Sequence, residues 1–211
     1  MTRAALFDLD GTLIDSVADI AAAVNAALAE HGYPTHPLAP FYDFVGEGVE
    51  HLITCALAPA AFDRAVLERY RQIYAGEMMK RTRVYPGLAQ VLSELQSRGW
   101  KLAVLSNKPH PATCALVPHF FPGIAFGAVA GQKPEVPRKP DPQAALEIAR
   151  QLGVDPADCA FVGDTSIDLQ TGHNAGMRSI GVTWGFRPAE VQHADAVVDD
   201  ASALLAALLA I

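Results

Sequence analysis

The chain has 211 residues, enough for one domain or for a core with a modest insertion, and 51% of them are hydrophobic against 18% charged. That composition supports a substantial buried core and excludes a disordered chain. A formal charge of −7, from 16 basic and 23 acidic residues, argues against a basic surface for nucleic acid, although a few local cations could still hold a small anion. Cys55, Cys114 and Cys159 are scattered without a Cys-x-x-Cys pair, as expected for a reduced intracellular protein. Asp8 comes too early for a signal-peptide apolar region, and no window is apolar for long enough to span a membrane. The expectation is a cytoplasmic protein with no membrane partner.

In chain order, Ala4-Ala5-Leu6-Phe7 reads as a first buried strand. From Asp15 to about Arg83 only helical patterns follow. Ser16-Val17-Ala18-Asp19 resembles a capping box ahead of Ile20, Val24, Ala27 and Leu28, and a charged amphipathic stretch covers residues 62–79. A helix is expected over 86–99, with Leu88, Val91, Leu92 and Leu95 on one face, and another over 142–153. Apolar runs at 102–105, 160–162, 180–182 and 196–198 complete a strand set, and 201–211 reads as a terminal helix. Strand-helix alternation predicts an α/β fold with a doubly wound, Rossmann-like parallel sheet. The expected organisation is a core of 1–14 and 84–211 carrying an all-helical insertion, 15–83. An insertion after the first strand lies where ligands bind in open α/β sheets, which makes it a candidate lid.

Four segments carry chemistry. In Asp8-Leu9-Asp10-Gly11-Thr12, residues two apart in an extended segment face one cavity, and two carboxylates so close must share a proton or a hard cation such as Mg²⁺. An acidic turn capping the next helix is the plainer reading. Gly163-Asp164-Thr165-Ser166-Ile167-Asp168 brings two more carboxylates to a strand end; the alternative, Asp164 as an N-cap and Asp168 as a first-turn acid, carries little weight beside Asp8 and Asp10. Ser106-Asn107-Lys108 offers a hydroxyl, an amide and backbone N–H groups suited to phosphate oxygens. Lys139, in Arg138-Lys139-Pro140-Asp141-Pro142, is a point charge in a stiff loop that Lys133 shares.

In this order the four segments resemble the motifs of the haloacid dehalogenase-like hydrolase superfamily, and the helical insertion stands where that family carries a cap. The resemblance favours Lys139 over Lys133. It implies that Asp8 attacks phosphorus and that Asp10 protonates the leaving oxygen and then activates water. It implies a Mg²⁺ bound by Asp8, Asp10 through its carbonyl, and Asp164, with Asp168 acting through water or behind the ligands. Ser106 and Lys139 would meet the phosphate, with Gly11, Thr12, Asn107 and Lys108 beside them. Asp10 favours phosphate-ester hydrolysis over carbon–halogen cleavage.

Residues 44–52 resemble the glycine-bracketed cap loop of phosphoglycolate phosphatases, which would put Gly46, Glu47 and Gly48 at the substrate; a tight turn between helices explains the glycines as well. Arg64, Arg69, Arg71, Lys80, Arg81 and Arg83 are cap cations that could meet a substrate carboxylate or line a solvated face. The expected partner is a small phosphate ester, 2-phosphoglycolate first, handled by a monomer or homodimer. The alternatives are a sugar phosphatase of the N-acetylmuramate 6-phosphate type, a phosphoglucomutase-like enzyme, and a non-catalytic metal-binding protein on the same fold.

Overall fold

A computed structural model describes residues 2–211. Six strands form one parallel sheet: β1 (Ala4–Phe7), β4 (Lys101–Pro109), β5 (Phe126–Gln132), β6 (Cys159–Gly163), β7 (Arg178–Val182) and β8 (Ala196–Val198). Their order is β5-β4-β1-β6-β7-β8, with β1 hydrogen-bonded to β4 on one side and to β6 on the other. The chain therefore winds away from β1 in both directions. The carboxyl end of β1 is the topological switch point, the usual place for a ligand in such sheets.

Alternation along β1 sends Ala5 and Phe7 to one face and Ala4 and Leu6 to the other, and both faces are buried. The Phe7 face is covered by α5 (Leu88–Ser97), α6 (His110–Phe120) and α9 (Ala201–Leu209). The Leu6 face is covered by α7 (Gln143–Leu152), through Ala145, Ile148 and Ala149. The remaining core helix, α8 (Ser166–Asn174), follows β6 directly and packs on β6 and β7.

Between β1 and α5 the chain leaves the sheet and returns through a two-stranded antiparallel ladder, β2 (Ile14–Asp15) with β3 (Arg83–Val84). Everything between those strands is helical or irregular: α1 (Val17–Glu30), α2 (Phe41–Phe44), α3 (Val49–Leu57) and α4 (Arg64–Glu77). Helix α1 packs chiefly on α4, and the apolar cluster of the Phe7 face runs without a break into these helices.

Two local expectations need correction. Ser16-Val17-Ala18-Asp19 forms no capping box: Ser16 Oγ donates to Asp10 Oδ1 at 2.5 Å. Asp19, 1% exposed, instead accepts from the backbone N–H groups of Arg81 and Thr82 and from Thr82 Oγ1, at 2.8–3.0 Å. The sequence reading also had no strand at 126–132. Here Phe126-Gly127-Ala128-Val129-Ala130-Gly131-Gln132 is the edge strand β5, only partly buried and irregular in register against β4. Small residues and a bulged edge remove the long apolar run that marks an inner strand.

Candidate active site

Four chain segments end at the switch point. Asp8 follows β1 directly, and Gly11 turns the chain back with φ +84°, a conformation that disfavours any side chain. A Cβ at Gly11 would also strike the Asp164 carboxylate, so glycine lets the two acidic segments close on each other. Asp8 is 7% exposed, Asp164 is fully buried and Asp168 is 1% exposed. One carboxylate oxygen from each lies within 4.8 Å of the others. Lys139 Nζ enters this group at 2.9 Å from Asp8 Oδ1 and 2.6 Å from Asp168 Oδ1.

One ammonium does not balance three buried carboxylates. Burial, reinforced by Asp168 and Asp10 and opposed by Lys139, pushes the Asp8 carboxyl up to about 6. Burial, with Asp168 and Asp8 behind it, holds Asp164 well above the usual carboxylate range. Burial works against the charge of Lys139, but Asp168 and Asp8 outweigh it and raise its ammonium above the ordinary lysine range. Although Lys139 is close to Asp8 Oδ1, the approach leaves that oxygen without an aligned hydrogen bond. An all-oxygen donor set with excess negative charge and an unspent oxygen suits a hard divalent cation held by Asp8 and Asp164, with Asp168 adjoining. Asp168 is already occupied: Oδ2 accepts from Thr165 N and Oγ1, closing a capping box at the start of α8, and Oδ1 takes Lys139. The competing reading of Asp164 as N-cap does not hold, since Thr165 caps α8 while Asp164 accepts from Thr12 Oγ1 and Phe186 N.

Asp10 faces the same cavity from the other side. Lys108 Nζ sits 3.0 and 2.9 Å from its two oxygens, and the Ser16 hydroxyl completes the set. The Lys108 ammonium also lies 4.7 Å from the centre of the Tyr74 ring on α4. Ser106 is 4% exposed and lines the cavity with Asp8 and Asp10.

Other residues expected at the phosphate have partners of their own, although Asn107 and Lys108 also line the cavity. The Thr12 hydroxyl serves Asp164, Gly11 packs on Asp164, and Lys108 is held by Asp10. The Asn107 amide is spent on backbone: Nδ2 donates to Gly46 O and Lys139 O, and Oδ1 accepts from Lys139 N. Gly46 and Gly48 line the cavity, whereas the Glu47 side chain is half exposed beside His51. Lys139 rather than Lys133 reaches Asp8.

The cations named above between residues 64 and 83 do not line this cavity, although Arg71 lines the adjoining cleft. Arg69 pairs with Glu30, Arg71 with Glu68, Lys80 with Glu77 and Arg81 with Asp19, while Arg83 donates to the carbonyls of Lys80 and Thr82. What the helices present instead is Ile20, Val45, Val49, Leu52 and Tyr70, over a cavity of about 40 Å³. Phe186 adds a wall from the loop after β7. Neither Tyr70 nor Phe186 was legible as a site residue, because a helix face or loop aromatic looks the same whether it meets core or cavity.

A doubly wound sheet with an aspartate pair after its first strand, and a lysine and two further aspartates converging on it, defines an acid-rich hydrolase site. A family model described as haloacid dehalogenase-like hydrolase matches residues 5–182, and the chain belongs to that family. Among curated relatives, a phosphoglycolate phosphatase of Pseudomonas putida is 37% identical, over 97% of this chain and 79% of its own length. One of Cereibacter sphaeroides is 38% identical over 88% and 87%. A crystal structure of a provisionally named phosphoglycolate phosphatase from Lactobacillus delbrueckii subsp. bulgaricus superposes with a TM-score of 0.92 at 34% identity, covering 99% of both chains. The protein is an enzyme, a phosphoric monoester hydrolase similar to the phosphoglycolate phosphatases. None of its helices among the described residues is long and apolar enough to cross a membrane.

Proposed function

We propose that the enzyme is a Mg²⁺-dependent phosphatase that hydrolyses 2-phosphoglycolate through an aspartyl-phosphate on Asp8, with residues 15–83 acting as the cap. When bound, Mg²⁺ would neutralise charge on the phosphoryl oxygens beside Asp8. Lys139 holds Asp8 ready for attack, and Ser106 lies where a hydroxyl can meet a phosphoryl oxygen. Asp10 lies across the same cavity, oriented by Lys108 and Ser16, and is placed to protonate the departing oxygen and later take a proton from water. The free thiols of Cys55, Cys114 and Cys159 support a cytoplasmic setting.

The lining of the cavity carries the choice of substrate. A roof of Ile20, Val45, Val49 and Leu52 offers little to a sugar's hydroxyl groups, which would be desolvated without partners. A two-carbon acid needs only one further contact, a cation or N–H donor for its carboxylate. Lys108 and the start of α3, at its N-cap Gly48 and first residue Val49, border the space it would fill. Initial rates on 2-phosphoglycolate, N-acetylmuramate 6-phosphate, glucose 6-phosphate and an aryl phosphate, with and without Mg²⁺, test the assignment. The expected result is Mg²⁺-dependent turnover with 2-phosphoglycolate ranked first. Sugar phosphates ranked far above it would overturn the substrate, and no activity on any ester would favour the non-catalytic reading.

A further inference from the structure

Among the contacts between the helical segment and the core is one short loop, residues 45–48, with three consecutive carbonyls taken by core side chains. Arg187 Nη2 donates to Val45 O at 3.4 Å, Asn107 Nδ2 to Gly46 O at 3.0 Å, and Arg138 Nη1 to Glu47 O at 2.7 Å. Gly46 has φ +125°, and a Cβ there would press on the Arg187 guanidinium, so the close approach of that arginine requires the glycine. Because every acceptor is backbone, the clasp leaves no side-chain signature in the loop.

Asn107 differs from the two arginines in holding a second element with the same amide. Its Oδ1 accepts from Lys139 N at 3.0 Å, and its Nδ2 also donates to Lys139 O at 3.2 Å. At 5% exposure no solvent competes for that amide, and each of its polar atoms is engaged. Lys139 continues the path to Asp8 and Asp168 through its ammonium. The links from the Gly46 carbonyl to the Asp8 carboxylate are therefore all 3.2 Å or shorter.

We propose that Asn107 is a positioning residue that couples closure of loop 45–48 over the cavity to the seating of Lys139 against Asp8. With the loop down, the Gly46 carbonyl fixes the plane of the amide, and that plane presents Oδ1 to Lys139 N–H. With the loop lifted, the amide keeps only its two bonds to the Lys139 peptide unit, and that unit loosens with it. The coupling is reciprocal: whatever seats Lys139 also holds the loop down. It rests on the reading of Asp8 and Lys139 as reaction groups, but the linkage itself is mechanical and can be measured in the resting protein.

The test is a double-mutant cycle read by amide hydrogen exchange, using NMR on ligand-free protein. Arg187→Ala removes a clasp contact at Val45 and an ion pair with Glu190, and neither of those residues is bonded to Lys139. Alone, it should speed exchange at the Lys139 amide by ~5-fold or more, as well as loosening residues 45–48. In an Asn107→Ala background, where the Lys139 amide has already lost its acceptor, the same change should add nothing at Lys139. Faster exchange at 45–48 with Lys139 unchanged, or equal effects of Arg187→Ala in both backgrounds, would overturn the coupling. If Asn107→Ala does not fold, the Arg187→Ala result at Lys139 still decides. The cycle needs no turnover, so failure of the phosphatase assignment would show in the ester panel and leave this result standing.

Discussion

Asp8, Asp164 and Asp168 lie together in a buried space that Lys139 only partly neutralises, and this has thermodynamic consequences. A carboxyl raised from 3.8 to about 6 by folding binds its proton more tightly in the native state. Its contribution to stability is therefore complete below pH 3.8 and is lost as pH rises through about 6. At pH 7.5 the cation-free protein carries this penalty, on the order of 2–3 kcal/mol for Asp8 alone. Asp8→Asn should accordingly raise the Tm of the metal-free enzyme at pH 7.5 and reduce the further gain on adding Mg²⁺; at pH 5 the variant and the parent should melt closer together. Thermal melts at the two pH values check this, and a fall in Tm at pH 7.5 would contradict the sign. On the other wall, Lys108→Met would strip Asp10 of its ion-pair partner and leave Ser16 alone to orient it. Misplacing a general acid forfeits part of its effect, so kcat should fall ~10–100-fold. Steady-state kinetics on the best ester measure it.

At the scale of elements, Asp19 joins the start of α1 to the return strand by accepting from Arg81 N, Thr82 N and Thr82 Oγ1. Asp19→Ala would leave buried donors without partners and should cost ~2–4 kcal/mol, seen as a lower midpoint in urea. The inner strands were readable because both faces of β1, β4 and β6 are buried and each contains a continuous apolar run, in β4 only over Leu102–Leu105. Edge strand β5 escaped because Gly127, Ala128, Ala130 and Gly131 do not form such a run. The false capping box at Ser16 has a related cause: a local pattern matched, but Asp10 and the Arg81–Thr82 backbone are stronger partners and lie elsewhere in the chain. The clustered aspartates were legible because a strand end forces their chemistry into a short motif. The clasp of Arg138, Asn107 and Arg187 was not, since contacts to backbone carbonyls leave no complementary side chain to read.

Across the whole molecule, the chain leaves the sheet once and returns once, at the paired strands β2 and β3, and the cavity lies between the excursion and the switch point. The sheet supplies Asp8, Asp10, Ser106 and Lys108, while the excursion supplies an apolar roof. That division explains why reaction type is far more legible than substrate: Ile20, Leu52 and Tyr70 share their helical period with residues that face only core. The central claim is that Asp8 is the nucleophile, and the most direct measurement is phosphate release from 2-phosphoglycolate in Mg²⁺ by the parent and by Asp8→Asn. The variant should retain a cooperative melt and lose turnover by on the order of 10⁴-fold or more. Near-parental hydrolysis by a folded Asp8→Asn would contradict the account.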